Sequence, residues 1–152
     1  MPCDRFNALY FLQHCHRHFL REGITLRYIC DWTMILQRAD CFDSDFWNEC
    51  EKNDLRPFAE SMTRLAYVVC GVKASWMDGD VILQIQDKML LDDCFRIADN
   101  AIKYGNSLKA HIQMVKNMLG MRWKYKYFSQ RSMEIELISS VWSNWMEKEP
   151  KI

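Results

Sequence analysis

Two histidines and a glutamate recur at four-residue intervals near the start of the chain, as His14, His18 and Glu22. A continuous helix would place these side chains on one face, because residues four apart lie above one another. Two imidazoles and a carboxylate are ligands that zinc accepts. Arg17 and Arg21 are interleaved with them and would repel a cation, and Glu22 lies where the helix is expected to end. We therefore expect a polar helix face without a bound metal, with His14 and His18 as candidate binding residues.

Arg27 and Asp31 are also four residues apart and can form a charge-assisted pair on a second helix. Arg27 would lie in the first turn of that helix, where a cation opposes the helix dipole. A residue placed against its local preference indicates a tertiary partner, which is either a structural network or an anionic ligand. We predict that Tyr28 and Trp32 shield the pair from solvent, and both charged residues are candidate binding residues.

The segment 103–131 contains no acidic residue, and basic and aromatic side chains alternate near its end. Its candidate binding residues are Lys109, Lys116, Arg122, Lys124 and Lys126. Cations bind the phosphate backbone, and aromatic rings stack on single-stranded bases, so one interpretation is a nucleotide or nucleic-acid binding module. The other interpretation is a solvated turn between two helices whose aromatic residues anchor the last helix.

These two interpretations of the basic segment differ in which of its side chains are buried. We predict that Trp123 and Phe128 are buried anchors, because a turn between two helices needs apolar contacts at both ends. Tyr125 and Tyr127 are expected to be partly exposed. The lysines beside them, including Lys124, would then face solvent and an anionic partner.

No motif with a known catalytic mechanism is present. The sequence lacks a glycine-rich phosphate loop, a G-x-S-x-G nucleophile turn and an H-E-x-x-H metal-binding helix. Nucleotidyl transfer needs closely spaced carboxylates to hold Mg²⁺. Asp78 and Asp80 lie in a predicted loop, and the adjacent Asp92 and Asp93 would point in different directions on a helix. We identify no catalytic residue and expect no cofactor.

Apolar residues at helical spacing predict an all-α fold, a single bundle of about six helices. Gly23 and Gly71 are expected to end helices in the left-handed conformation, and Asp54 is expected to cap the helix that contains Pro57. The predicted helices span about 4–21, 26–39, 45–52, 55–70, 87–104 and 107–119, with a last helix that begins near residue 132.

Bulk composition limits the location and the partners of the chain. Its 152 residues correspond to one domain, and its zero net charge excludes a global attraction to nucleic acid or anionic lipid. Seven cysteines without a C-x-x-C pair, and the lack of a secretory leader, indicate a reducing cytoplasm in which most cysteines are small core residues. No apolar run approaches the ~20 residues needed to cross a bilayer. We expect a soluble, cytoplasmic protein without a membrane partner, and an oligomer stays open.

The opening stretch has the form H-x-x-x-H-F-x-x-x-G-I-x-L-R-x-x-x-D-W. The matching residues are His14, His18-Phe19, Gly23-Ile24, Leu26-Arg27 and Asp31-Trp32. This pattern resembles the C-terminal helical region of a bacterial, Bacteroidetes-rich family of nucleotidyltransferase-like proteins. The start of the helix at 55–59 looks like the family's L-x-x-F-A segment, and Gly105-Asn106 is similar to part of its G-N-F-G turn. The likeness is more specific before Gly71 than after it.

The resemblance implies a function without catalysis. In that family the catalytic aspartates are expected in an N-terminal α/β half, whereas this sequence corresponds to the helical half alone. It implies a helical accessory or binding domain that by itself transfers no nucleotide. Its expected partners are a separately encoded nucleotidyltransferase half or an anionic ligand such as a nucleotide or phosphate. The alternative is the nucleotide or nucleic-acid binding module in segment 103–131.

Overall fold

The structure, a computed structural model, describes residues 4–38, 40–72, 81–95, 119–130 and 132–134. These residues form six helices and no strand, which confirms the predicted all-α bundle. The helices are α1 (Asp4–Arg21), α2 (Leu26–Arg38), α3 (Ser44–Lys52), α4 (Arg56–Cys70), α5 (Ile85–Phe95) and α6 (Arg122–Phe128). No described helix is both long and apolar enough to span a membrane.

Helix α4 is the centre of the bundle and packs against each of the other five helices. Its apolar residues recur at helical spacing and are fully buried, so one broad side of the helix faces the core. They are Phe58, Ala59, Met62, Leu65 and Ala66. Pro57 lies in the first turn, where its missing N–H costs nothing. Gly71 ends the helix at φ +70°, as predicted.

The junction between α1 and α2 is also formed by a glycine. The backbone N–H groups of Glu22 and Gly23 both donate to the carbonyl oxygen of His18, at 2.8 and 3.1 Å. Gly23 has φ +92°, a conformation that side chains with a Cβ rarely adopt. The predicted left-handed end of α1 is therefore confirmed, and the turn sends α2 back across the bundle, where Trp32 donates to Thr63 of α4 at 3.0 Å.

An aromatic cluster joins α1, α4 and α6. The ring of Phe19 lies 5.4 Å from that of Phe58 and 5.2 Å from that of Phe128, measured between centroids. All three rings are fully buried. The first pair is stacked and the second is edge to face, and aromatic pairs of either kind contribute about 0.5–1.5 kcal/mol beyond their burial. This cluster fixes the buried side of α1, so the opposite side of the same helix faces solvent.

Two local predictions are wrong. Asp54 does not cap α4, whose N-cap is Leu55 without a side-chain hydrogen bond. Its carboxylate instead accepts hydrogen bonds from the Ser129 hydroxyl at 2.8 Å and the Gln130 backbone N–H at 2.9 Å. The basic-aromatic stretch is not a turn but the helix α6, because its apolar residues also repeat at helical spacing. The predicted loop 73–80, most of the predicted helices after Phe95 up to residue 118, and the last helix beyond residue 134 lie outside the described residues.

Candidate functional site

An open cleft of about 290 Å³ lies along the C-terminal half of α1. Its described lining residues are His14, Arg17, His18, Arg21 and Glu22. The sequence predicted that these residues share one face, because they repeat at intervals of three and four on one helix. The opposite face of the same turns is buried through Cys15, His16 and Phe19. The cleft therefore lies on the exposed face of a helix whose opposite face packs in the bundle.

The histidines of the cleft form a contact of their own. The rings of His14 and His18 meet edge to face, with centroids 4.5 Å apart. Nδ1 of His18 lies 3.7 Å from a carboxylate oxygen of Glu22, and both side chains are substantially exposed. No three His, Cys, Asp or Glu side chains of the described ranges are grouped so that they could hold a metal ion. The ring nitrogens of an imidazole can donate and accept hydrogen bonds.

The two arginines of the cleft carry charge that no described carboxylate neutralises. Arg17 and Arg21 are exposed and make no ion pair with any residue that the structure describes. Like charges four apart on a helix destabilise it by a few tenths of a kcal/mol, about 0.2–0.5. Arg21 is partly compensated because it lies in the last turn, at the negative end of the helix dipole. Arg17 lies before the last turn, so the helix dipole does not compensate its charge in this way.

The prediction that Arg27 and Asp31 form a shielded pair is wrong. Nε of Arg27 lies 3.7 Å from Oδ2 of Asp31, but the two side chains are 86% and 49% exposed. The buried residues of α2 are Ile29, Trp32 and Thr33. Arg27 and Asp31 lie on the opposite face of the helix, which is exposed to solvent. An exposed pair at i, i+4 contributes only about 0.3–0.5 kcal/mol. The pair is part of the solvated surface, and neither residue is among the described residues that line the cleft.

The prediction that Lys124 faces an anionic partner is also wrong. Its side chain is 2% exposed, and its ammonium group donates to Oδ2 of Asp93 at 2.7 Å. It also donates to the carbonyl oxygen of Phe19 at 2.9 Å, in the last turn of α1. A cation at this end of a helix satisfies a carbonyl that has no partner within the helix and interacts favourably with the dipole. Lys124 is therefore a structural residue that caps α1.

The burial of the aromatic residues of α6 follows the prediction only in part. Phe128 is fully buried, which confirms that prediction, but Tyr125 is also buried, at 8% exposure, where partial exposure was expected. Tyr127 is half-buried, as expected, whereas Trp123 is also only half-buried although it was predicted to be buried. Both rings pack against the core. Tyr125 is buried because it shares with Lys124 and Phe128 the face that α6 turns to the bundle.

Two predicted residues of the basic segment do face solvent. Arg122 and Lys126 are exposed, and Arg122 lies 3.2 Å from a carboxylate oxygen of Glu134. The Nζ atom of Lys126 lies 5.3 Å from the centroid of the Tyr127 ring. Lys109 and Lys116 lie outside the described residues. Binding of nucleotide or nucleic acid by segment 103–131 therefore stays a prediction, with two exposed cations in its described part.

Sequence reasoning missed His16, which links α1 to α6. Its Nε2–H donates to the carbonyl oxygen of Phe128 at 2.8 Å, and the ring is buried against Phe58. Burial lowers the pKa of His16 from its ordinary value, although the carbonyl and the nearby Asp54 act in the opposite direction. The only local signal was that position 16 adjoins the buried Cys15 on the helix. His16 is structural and does not line the cleft.

A buried acidic network was missed as well. Asp87 is fully buried and receives two hydrogen bonds from Arg64, at 2.8 and 2.9 Å. The Ser61 hydroxyl and the backbone N–H of Gln84 donate to the same carboxylate, the latter at 2.8 Å. Every lone-pair direction of Asp87 is thus used within the fold. The network fixes the start of α5 against α4 and leaves no free group for chemistry.

The buried thiols are not nucleophiles. Burial raises the pKa of Cys15, Cys50 and Cys94 to about 12. At neutral pH these groups are protonated, and the thiol is a poor nucleophile and a poor metal ligand. Their burial agrees with the prediction that most cysteines act as small core residues.

In comparisons with protein-family models, with curated proteins and with solved structures, nothing matched this chain. The resemblance to nucleotidyltransferase-like proteins therefore stays a prediction based on the residues that form the opening pattern.

Proposed function

We propose that this chain is a non-catalytic helical binding domain whose α1 cleft binds an anionic group, such as the phosphate of a nucleotide. The observation that carries this proposal is that Arg17 and Arg21 share one cleft with two imidazoles and have no carboxylate partner among the described residues. Glu22 is the one acidic residue of the described lining, and it faces His18.

The arrangement of the cleft suits a tetrahedral oxyanion. Residues four apart on a helix are separated by about 6 Å along its axis, so the two guanidinium groups can converge on one phosphate or on two adjoining ones. Each guanidinium offers five N–H donors and can bind a phosphate through two of them. His14 and His18 add ring nitrogens beside the arginines. A bound anion would also remove the repulsion between Arg17 and Arg21.

The scaffold behind the cleft is suited to hold these groups in place. The turn that ends α1 is fixed by Gly23 and by the hydrogen bond from Lys124 to the Phe19 carbonyl oxygen. His16 ties the same stretch of helix to α6. Arg17 and His18 therefore project from a helix with two tertiary hydrogen bonds and a fixed final turn rather than from a free loop. Binding groups on a rigid element lose less entropy when the ligand arrives.

This proposal agrees with the accessory role that the sequence resemblance implies. A helical domain beside a separately encoded nucleotidyltransferase half would contribute binding of the nucleotide or of its acceptor and no metal-dependent step. The segment 103–131 is the alternative site for the same class of ligand. The burial of Lys124 favours α1, since it removes the central cation of that alternative from solvent.

A pair of double variants with matched charge distinguishes the two sites. Arg17→Gln with Arg21→Gln removes two positive charges from the cleft, and Arg122→Gln with Lys126→Gln removes two from α6. Pyrophosphate and adenosine triphosphate binding would be measured by isothermal titration calorimetry. We expect the α1 double variant to weaken binding by about tenfold or more, because charge-assisted hydrogen bonds are lost. The α6 double variant should bind like the wild type.

All four side chains are exposed, so each substitution should change the unfolding free energy by about 0.5 kcal/mol or less. Neither double variant should therefore change the melting temperature by more than a few degrees. The reverse result, with binding lost only in the α6 variant, would assign the function to segment 103–131. Absence of measurable binding by the wild type would refute the proposal.

A further inference from the structure

An aromatic ladder extends from the cleft along the whole outer face of α1. Phe6, Tyr10, His14 and His18 follow one another at four-residue intervals. The ring centroids of successive members are 6.3, 6.4 and 4.5 Å apart, and the first two pairs are nearly parallel, at 15° and 16°. Tyr28 of α2 continues the series, with its ring centroid 6.4 Å from that of His18. Five rings thus form one continuous row.

The first two members of this ladder are exposed although they are large and hydrophobic. Phe6 is 58% and Tyr10 is 62% exposed. The neighbouring Phe11 and Phe19 instead pack on or in the core, so α1 already has an aromatic face for its own burial. A second aromatic face that stays exposed on the same helix costs solvation and is a candidate surface for contact with a partner.

The remaining exposed groups of α1 indicate what that partner is. Beyond Asp4 the helix contains no acidic residue. Its other exposed side chains are two amides and two guanidiniums, from Asn7, Gln13, Arg17 and Arg21. Rings that can stack, amides that can bind base edges and arginines that can bind phosphate are the groups by which proteins hold unpaired nucleotides.

We propose that the ligand of the α1 surface is single-stranded nucleic acid, bound along the helix with phosphates in the cleft and bases stacked on the ladder at Tyr10 and Phe6. This inference rests on the proposed function, because the cleft supplies the phosphate site. From Phe6 to Arg21 the face is about 22 Å long at a rise of 1.5 Å per residue. A stacked strand advances about 3.4 Å per nucleotide, so several nucleotides fit and a mononucleotide would leave most of the face uncovered.

The inference also predicts which nucleic acids fail to bind. Bases of a duplex are stacked and paired and cannot lie on side-chain rings, so a duplex would use the arginines alone. Single-stranded DNA and RNA should both bind, since every base has a face that stacks. Weak dependence on sequence and strong dependence on salt are expected for such a site.

The test uses the whole chain and a fluorescein-labelled oligonucleotide of about 12 nucleotides, a typical site size for single-strand binders. Its anisotropy would be titrated with wild type, Tyr10→Ala, Tyr10→Phe and Arg17→Gln. Phe95→Ala is the matched control, because Phe95 is equally exposed, at 61%, but lies on α5. Pyrophosphate binding by the same proteins would be measured by calorimetry, which reports on the cleft without the ladder.

We expect Tyr10→Ala to weaken oligonucleotide binding by about tenfold, the effect of one lost stacking partner, and to leave pyrophosphate binding unchanged. Tyr10→Phe should bind like the wild type because it keeps the ring, and Phe95→Ala should have no effect. Arg17→Gln should weaken the binding of both ligands. For the oligonucleotide, it should also reduce the slope of log affinity against log salt by about 0.7, the value for one phosphate contact.

Five results would overturn the inference. Pyrophosphate binding without oligonucleotide binding would leave the proposed function intact and exclude nucleic acid as the ligand. Oligonucleotide binding that Tyr10→Ala does not weaken, or a duplex that binds as tightly as the single strand, would exclude base stacking on the ladder. A dimer in analytical ultracentrifugation that Tyr10→Ala dissociates, with no oligonucleotide bound, would assign the ladder to a second copy of the chain. Failure of both ligands would refute the proposed function as well.

Discussion

The ammonium group of Lys124 lies 2.7 Å from a carboxylate oxygen of Asp93, and the two side chains are only 2% and 11% exposed. Lys124→Met keeps most of the chain length but leaves the Asp93 carboxylate and the Phe19 carbonyl without this donor. We expect unfolding in urea to require about 3–5 kcal/mol less than in the wild type, the usual result of breaking one side of a buried pair. Lys126→Met, on the exposed side of the same helix, should change stability by about 0.5 kcal/mol or less. Equal effects of the two substitutions would show that the Lys124 pair contributes no more than a surface charge.

Gly23 and Gly71 share a backbone conformation but differ in the space around them, so the same substitution can be compared at both positions. Both have positive φ, at +92° and +70°. A Cβ on Gly71 would meet nothing within 4 Å, whereas one on Gly23 would lie 2.8 Å from the Asp93 carboxylate oxygen that binds Lys124. Gly71→Ala should therefore cost about 1–2 kcal/mol for the left-handed conformation alone. Gly23→Ala should cost at least about 1 kcal/mol more, as expected when a substitution forces packed groups apart. A smaller loss for Gly23→Ala, measured by the same denaturation, would contradict the close approach.

Asp31 and Asp87 both pair with an arginine, but their surroundings differ. Asp31 is half-exposed beside Arg27, and Asp87 is fully buried with two hydrogen bonds from Arg64. Asp31→Ala should lower the unfolding free energy by about 0.5 kcal/mol or less. Asp87→Ala should lower it by about 3–5 kcal/mol, because it strands Arg64 and removes a helix-start contact at Gln84. Similar losses at the two positions, or a loss confined to Asp31, would be incompatible with this difference in burial.

His16 predicts a pH dependence of stability whose sign follows from burial. Desolvation lowers the pKa of His16 in the folded chain below its ordinary value of 6.5. As the pH falls below about 6.5 the unfolded chain gains a proton at this residue before the folded chain does. Stability should therefore decrease with falling pH between that value and the lower pKa of the folded state. His16→Gln removes this contribution, so its unfolding free energy should decrease less than that of the wild type between pH ~7.5 and pH ~5.5. Parallel pH profiles of the two proteins, from urea denaturation, would argue against a buried neutral His16.

Elements fixed by local signals could be predicted from the sequence. Helix α1 ends just before Gly23, because a glycine is the residue that adopts positive φ without strain. Pro57 and Gly71 mark the two ends of α4 by the same kind of local chemistry. That His14 and Arg17 share one face of α1 followed from helical spacing. Each of these depends on residues within one or two turns.

The residues that were misjudged depend on partners far away in the chain. Lys124 binds a carbonyl 105 residues earlier, and His16 binds one 112 residues later. Asp54 is of a residue type that often caps helices and precedes α4, but its carboxylate accepts a hydrogen bond from a hydroxyl 75 residues away. A helical spacing shows which side chains share a face, but it does not show which face meets another helix. The burial of Tyr125 and the exposure of Arg27 were therefore outside the reach of local reasoning.

The cap that Lys124 provides has a consequence for the order in which the newly made chain matures. Translation at about 5–20 residues per second places Lys124 on the order of 5–20 seconds behind the Phe19 carbonyl that it binds, 105 residues earlier. During this interval the last turn of α1 lacks its cation, and the rings of Phe19 and Phe58 lack the covering ring of Phe128. The nascent chain therefore displays the apolar centre of the bundle until α6 arrives, and that period is when chaperones would have their best access to it.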